Sequence, residues 1–232
     1  MKLSIILPAL NEASGIVATL SALQPLRAAG NELIVVDGGS VDATALLASV
    51  DADQVINSAC GRAKQMNAGA AAVSGDALLF LHADTRLPDG AAELIEAALQ
   101  QRLWGRFDVQ IEGRPALLRV VAGMMNRRSR LTGIATGDQA MFMTRAAFDA
   151  AGGFPDQPLM EDIELSKRLK RLGPPACLRQ QVVTSGRRWE QHGVWRTILL
   201  MWRLRFDYWR GVPATLLVRR YRPQQALREV VK

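Results

Sequence analysis

The chain has 232 residues, 29 of them basic and 22 acidic, for a formal net charge of +7; apolar residues make up 49% and charged residues 22%. That length fits one large α/β unit, and the composition excludes a disordered, fibrous or low-complexity chain. Two cysteines, Cys60 and Cys177, and two histidines, His82 and His192, exclude a disulfide scaffold and a four-cysteine zinc site and fit a reduced compartment.

The apolar run Lys2–Leu7 predicts a strand covered on both faces and stopped by Pro8, with Asn11, Glu12 and Ser14 capping a helix that runs to about Ala29. Glu32–Asp37 predicts a second buried strand, which completes a β-α-β unit. The alternation continues with a helix over Ala43–Val50, a strand at Gln54–Ile56, a helix over Arg62–Val73, a strand at Ala77–Leu81 and a helix over Ala91–Leu99. Such alternation predicts a parallel sheet with right-handed crossovers and helices on both faces. Farther on, strands are expected at Trp104–Glu112, Gly137–Thr144 and Cys177–Val183, and helices over Ala116–Arg130, Arg145–Ala151 and Asp162–Leu172. No linker divides residues 1–190, whose halves are 1–100 and 101–190; residues 191–232 form a basic amphipathic extension. No apolar run reaches the roughly 20 residues of a membrane span, so a cytoplasmic location is expected.

Ligands of such a sheet sit beyond the carboxyl ends of the strands, where Glu12, Asp37 and Asp84 would gather on one rim. Like charges there are tolerable if a cation or ligand donors lie between them. Asp37-Gly38-Gly39-Ser40 also reads as a plain tight turn. His82 and Asp84 share one side of an extended chain and so can reach one metal, or else His82 is a core residue and Asp84 caps a turn. Glu161 and Asp162 suit the first turn of a helix with no further role, but the loop before them would present them at a cavity edge, where a general base belongs.

Charge is uneven: residues 1–100 hold 5 basic against 11 acidic groups, and residues 101–232 hold 24 against 11. No zinc-finger spacing, RNP-like motif or helix-turn-helix pattern accompanies the basic half, so nucleic acid is not the expected partner. Trp195, Ile198, Leu199, Trp202, Phe206 and Trp209 follow the 3.6 period, with Arg196, Arg203 and Arg210 on the other side. That helix either packs its aromatic stripe on its own sheet or lies on an anionic membrane surface, peripheral on the inner face.

Taken in order, the blocks Ile5–Glu12, Val35–Thr44, Gly61–Asn67, His82-Ala83-Asp84, Gly137-Asp138-Gln139 and Glu161-Asp162 resemble family 2 of the GT-A glycosyltransferases over nearly the whole chain. Thr184–Glu190 and Gly211-Val212 are similar to the subgroup known as radical-SAM/selenodomain-associated transferase 2. The resemblance implies a Rossmann-like, mostly parallel sheet with C-terminal amphipathic helices, and an inverting transfer of sugar from a nucleotide-diphosphate sugar to an acceptor hydroxyl. It implies nucleotide contacts from Pro8, Ala9, Asn11, Glu12, Asp37, Gly39, Arg62, Lys64 and Ala83. Asp84 matches the last Asp of the DxD motif that holds Mg²⁺ or Mn²⁺, with His82 where the first Asp usually stands. Asp162 matches the catalytic base. Gly137, Asp138, Gln139, Glu161, Arg187, Arg188 and Trp189 would contact acceptor or phosphate, the acceptor being unknown and open to a lipid-linked form. Two rivals are a sugar-nucleotide pyrophosphorylase, for which Pro8–Glu12 lacks the early Gly-rich loop, and a non-catalytic basic peripheral membrane protein.

Overall fold

The computed structural model describes residues 1–221, so the end of the predicted 191–232 extension lies outside the described residues. Strands β1 (Leu3–Ala9), β2 (Glu32–Asp37), β3 (Gln54–Asn57), β4 (Ala77–Phe80), β5 (Thr85–Arg86), β6 (Trp104–Glu112), β7 (Met141–Thr144) and β8 (Ala176–Ser185) form one sheet in the order β3-β2-β1-β4-β7-β6-β8-β5. The first four strands are parallel, as expected. The sheet is mostly parallel, as expected: β6 and β8 are parallel too, while β7 runs antiparallel to both β4 and β6, and β5 antiparallel to β8.

Both faces of the sheet are covered. Alternation sends Ile5, Leu7, Leu33 and Val35 to one face, under α1 (Ile16–Ala28), α2 (Thr44–Asp51), α4 (Ala91–Leu99) and α5 (Leu117–Thr132). Ile6, Ile34, Val36 and Phe80 face the other way, under α3 (Arg62–Ala72), α6 (Arg145–Ala150) and α7 (Glu161–Leu172). Gly69 lets α3 touch the sheet, since a Cβ there would meet Ile6 Cγ2 at 2.4 Å. Asn67 on α3 donates to the Phe154 carbonyl at 2.8 Å and accepts the Phe154 N–H at 2.9 Å, which fixes the loop leading to α7.

Four expectations change in detail. β1 runs through Pro8 to Ala9, and the proline is tolerated because pairing with β4 ends at Ile6. α1 starts at Ile16 without a side-chain cap, because the Asn11 side chain accepts the Val41 N–H of the β2–α2 loop and the Glu12 carboxylate pairs with Arg187 instead. Gly137–Gln139 is a 3₁₀ turn and no strand: the Thr136 and Gln139 side chains form a capping box, and only Met141–Thr144 is extended. β5 is new, a two-residue strand too short to leave a period.

After β8 the chain forms α8 (Arg187–His192), α9 (Val194–Trp209) and α10 (Ala214–Tyr221). Leu204 and Leu217 pack on Met160 and Ile163 and so dock α9 and α10 beside the start of α7; each buried leucine contributes about 1.5–3 kcal/mol. The aromatic stripe of α9 does not cover the sheet. Trp195, Leu199, Trp202, Phe206 and Trp209 are 54–80% exposed.

Candidate active site

Two cavities meet at the carboxyl ends of β1 and β4. The first, about 350 Å³, is lined by Pro8, Ala9, Asn11, Glu12, Arg62 and Gln65 together with His82, Ala83 and Asp84. Its floor is cross-braced. Gln65 Nε2 donates to the carbonyls of Ala9 at 2.8 Å and Val36 at 2.9 Å. Asn11 sits in the left-handed region at φ 55° and accepts the Val41 N–H at 2.9 Å, which ties the loops after β1 and β2 together.

Asp37 is buried and folded back into its own turn, where it accepts the N–H groups of Gly39 and Ser40 at 3.0 and 2.9 Å. Neither Asp37 nor Gly39 lines the first cavity, and Lys64 faces Asp156 at 3.9 Å outside it. These three of the expected nucleotide contacts stand apart from the rest.

The second cavity, about 450 Å³, shares Arg62, His82 and Asp84 with the first and adds Asp138, Glu161 and Asp162, with Arg187, Arg188 and Trp189 from α8. β5 explains how α8 arrives: Thr85 pairs with Thr184, their hydroxyls 3.0 Å apart, which brings the end of β8 beside Asp84. Arg187 then lies 3.0 Å from Glu12 Oε2 and 3.7 Å from Asp84 Oδ2. The Glu12 hydrogen bond raises the Arg187 guanidinium further above its ordinary value. Arg188 stacks over the Tyr221 ring at 3.7 Å.

Across the cavity, Met160 turns the chain into α7 with φ 65°, a conformation that costs a non-glycine residue of order 1 kcal/mol or more. Asp162 accepts the N–H of Gly137 at 3.0 Å through Oδ2 and that of Ile163 at 2.7 Å through Oδ1. Burial outweighs these bonds and raises the Asp162 carboxyl above its ordinary value, with Asp138 adding to the rise. Glu161 is raised by burial first and by Asp162 second. His82 Nδ1 donates to Asp138 Oδ1 at 3.2 Å, and Nε2 lies against Gly137. Burial alone would raise Asp138, but the His82 bond and the charges of Arg62 and Arg188 hold it below its usual range. Gln139 is fully buried and sits 3.4 Å from Asn126, away from both cavities.

The sequence profile of glycosyl transferase family 2 matches residues 4–148. The chain belongs to this family. A comparison with curated proteins finds no match. Among solved structures, residues 1–349 of TarS from S. aureus, in complex with UDP-GlcNAc, superimpose with a TM-score of 0.64 at 17% identity, over 80% of this chain and 58% of that one. Glucosyl-3-phosphoglycerate synthase from Mycobacterium tuberculosis, in complex with Mg²⁺ and UDP, gives 0.58 at 20% identity over 79% and 70%. These likenesses show the GT-A type fold, and the chain spans under two thirds of the TarS fragment.

The M. tuberculosis synthase has also been solved with Mn²⁺, UDP and glucosyl-3-phosphoglycerate. Among the described residues no group of three or more His, Cys, Asp or Glu side chains is placed to hold a metal. Asp84 offers a carboxylate at the junction of the two cavities, which fits a cation that takes most of its ligands from a diphosphate and water, as Mg²⁺ does. His82 has its ring toward the Gly137–Asp138 turn.

Two participants escaped the sequence reading. Gln65 lies within a quoted block but carries no charge to single it out. Arg128 on α5 has Nε and one terminal nitrogen buried without a hydrogen-bond partner among the described residues. Only a basic residue in an otherwise apolar stripe hinted at it.

Proposed function

We propose that the protein transfers a sugar from a nucleoside-diphosphate sugar to an acceptor hydroxyl with inversion at the anomeric carbon. One observation carries the reading: a cavity of 350 Å³ built from the β1 and β4 ends opens, at Arg62, His82 and Asp84, into a second one lined by the half-buried carboxylate Asp162. The nucleoside would lie over Pro8, Ala9 and Glu12, and the diphosphate at the junction.

Asp162 acts as general base. Its raised pKa suits proton uptake from an alcohol, and the Gly137 and Ile163 N–H groups hold the carboxylate in place. Arg187 and Arg62 neutralise the charge that develops on the departing diphosphate. Asp84 would hold Mg²⁺ or Mn²⁺ against that diphosphate, which supplies Lewis-acid stabilisation of the leaving group when bound. Asp37 and Gly39 brace the turn after β2 beside the donor site, and Lys64 lies outside it. Gln139 shapes the turn that presents Asp138. The Thr184–Glu190 block supports placement in the radical-SAM/selenodomain-associated subgroup, with residues 191–221 as a surface element beside the catalytic unit.

The TarS and synthase complexes make uridine donors the first to test. The protein is incubated with a panel of nucleotide sugars, a membrane-lipid extract and Mn²⁺, and nucleoside diphosphate release is measured with sugar retained in product. Acceptor-dependent release is the expected result. Pyrophosphate-dependent formation of NTP and sugar phosphate would instead identify a pyrophosphorylase.

A further inference from the structure

A third cavity, about 320 Å³ and mainly apolar, runs between α5 and α9. Val121, Met124 and Met125 line one wall, and Ile198 and Trp202 the other. Thr136, Asp138, Trp189, Met201 and Arg205 belong both to this groove and to the cavity that holds Asp162, so the groove leads to the catalytic carboxylate. Inside it lies Arg128, with Nε and one terminal nitrogen buried and unpartnered among the described residues. A buried guanidinium nitrogen without an acceptor is costly, and an anionic ligand group is what would complete it.

The outer rim has the same character. Trp202 continues from the groove into the exposed row Trp195, Leu199, Phe206 and Trp209, and Val120 and Met124 of α5 are also more than half exposed. α5 and α9 together carry seven arginines against one acid, Asp207, which is already paired with Arg220 at 2.6 Å. An apolar row set among cations matches an anionic lipid surface better than the neutral apolar patch of a protein partner. No helix among the described residues is long and apolar enough to cross a membrane, so the fit is to the interface.

We propose that the α5–α9 face seats the protein on an anionic membrane and that the groove is the acceptor site, taking the hydrocarbon of a membrane amphiphile with its anionic group on Arg128. This rests on the glycosyltransferase reading for the word acceptor. The physical binding claim does not.

Two measurements on the full chain decide it. Co-sedimentation with vesicles of phosphatidylcholine alone, or mixed with phosphatidylglycerol, should show binding only to the mixture, weakened by salt. The double variant Trp195→Ser/Trp209→Ser, changed at exposed positions outside the groove, should lose roughly tenfold in affinity. Dodecyl phosphate below its micellar concentration should bind by calorimetry at least tenfold tighter than inorganic phosphate, and Arg128→Gln should lose roughly tenfold while Arg128→Lys recovers part. Absence of vesicle binding at low salt, equal binding to both compositions, or self-association abolished by the tryptophan variant without vesicle binding overturns the membrane seat. Dodecyl phosphate affinity unchanged in Arg128→Gln overturns the groove assignment. UDP binding, read on the same protein, separates the two readings: lipid and dodecyl phosphate binding without it would refute the donor site and support this face.

Discussion

Asp162, at the start of α7, accepts the backbone N–H of Gly137 at 3.0 Å, so the turn after α5 fixes a carboxylate that lines the second cavity. Asn at this position keeps size and one acceptor but cannot take a proton. Asp162→Asn should lower the transfer rate by about 10²–10⁴ with UDP affinity within threefold. Activity within threefold of the parent protein would remove Asp162 from its role.

With Asp162 as the base, the same carboxyl should set the pH dependence. Burial raises its pKa, so the acid limb of kcat/KM should lie above the ordinary Asp range near 4, with activity rising as pH rises through the folded-state value. Asp138 adds to that rise, and Asp138→Asn should move the limb to lower pH. Stability runs the other way. A raised carboxyl contributes most below its unfolded pKa and loses that contribution as pH rises through the folded value, so the Tm of Asp162→Asn relative to the parent should improve from pH 4 to pH 8. A pH-independent difference would contradict this.

Much of the site was legible because strand ends are marked by composition: β-branched runs stop at polar clusters, and Pro8–Glu12 and His82–Asp84 do line one cavity. What was not legible depended on contacts distant in sequence. Thr85–Arg86 has no period of its own, and only its pairing with β8 brings Arg187 to Asp84. The α9 stripe left packing on the sheet and a surface role both open, because periodicity reports an apolar face without saying what covers it; the exposed aromatics exclude the first for that row. The 137–144 segment read as a strand because Gly, Asp and Gln gave no warning that Thr136 and Gln139 would cap a turn.

A steric prediction concerns Gly137. A Cβ there would come within 2.5 Å of His82 Nε2, and His82 is buried. Gly137→Ala should therefore cost about 1–3 kcal/mol. In the His82→Ala background the same change should cost far less, which denaturant unfolding of the four proteins of the cycle would measure. Equal costs in both backgrounds would mean the ring is not the obstacle.

Arg187 bridges Glu12 and Asp84 at the first cavity. If it turns to the diphosphate, Arg187→Met should weaken UDP binding by roughly tenfold and flatten its salt dependence, whereas adenosine or uridine without phosphate should be unaffected. Unchanged UDP affinity would confine Arg187 to holding Glu12.

The central claim is that the cavity beneath Pro8, Ala9, Glu12 and Asp84 takes a nucleoside diphosphate. Thermal unfolding with UDP, GDP, ADP and dTDP, each with and without Mn²⁺, tests it most directly. A ligand at 100 times its Kd adds about 2.7 kcal/mol, which for a chain of this size raises Tm by roughly 5–10 °C. At least one diphosphate should give such a shift, larger with Mn²⁺, its metal-dependent part lost in Asp84→Ala; no shift with any diphosphate, with or without metal, would rule out a nucleoside-diphosphate site here.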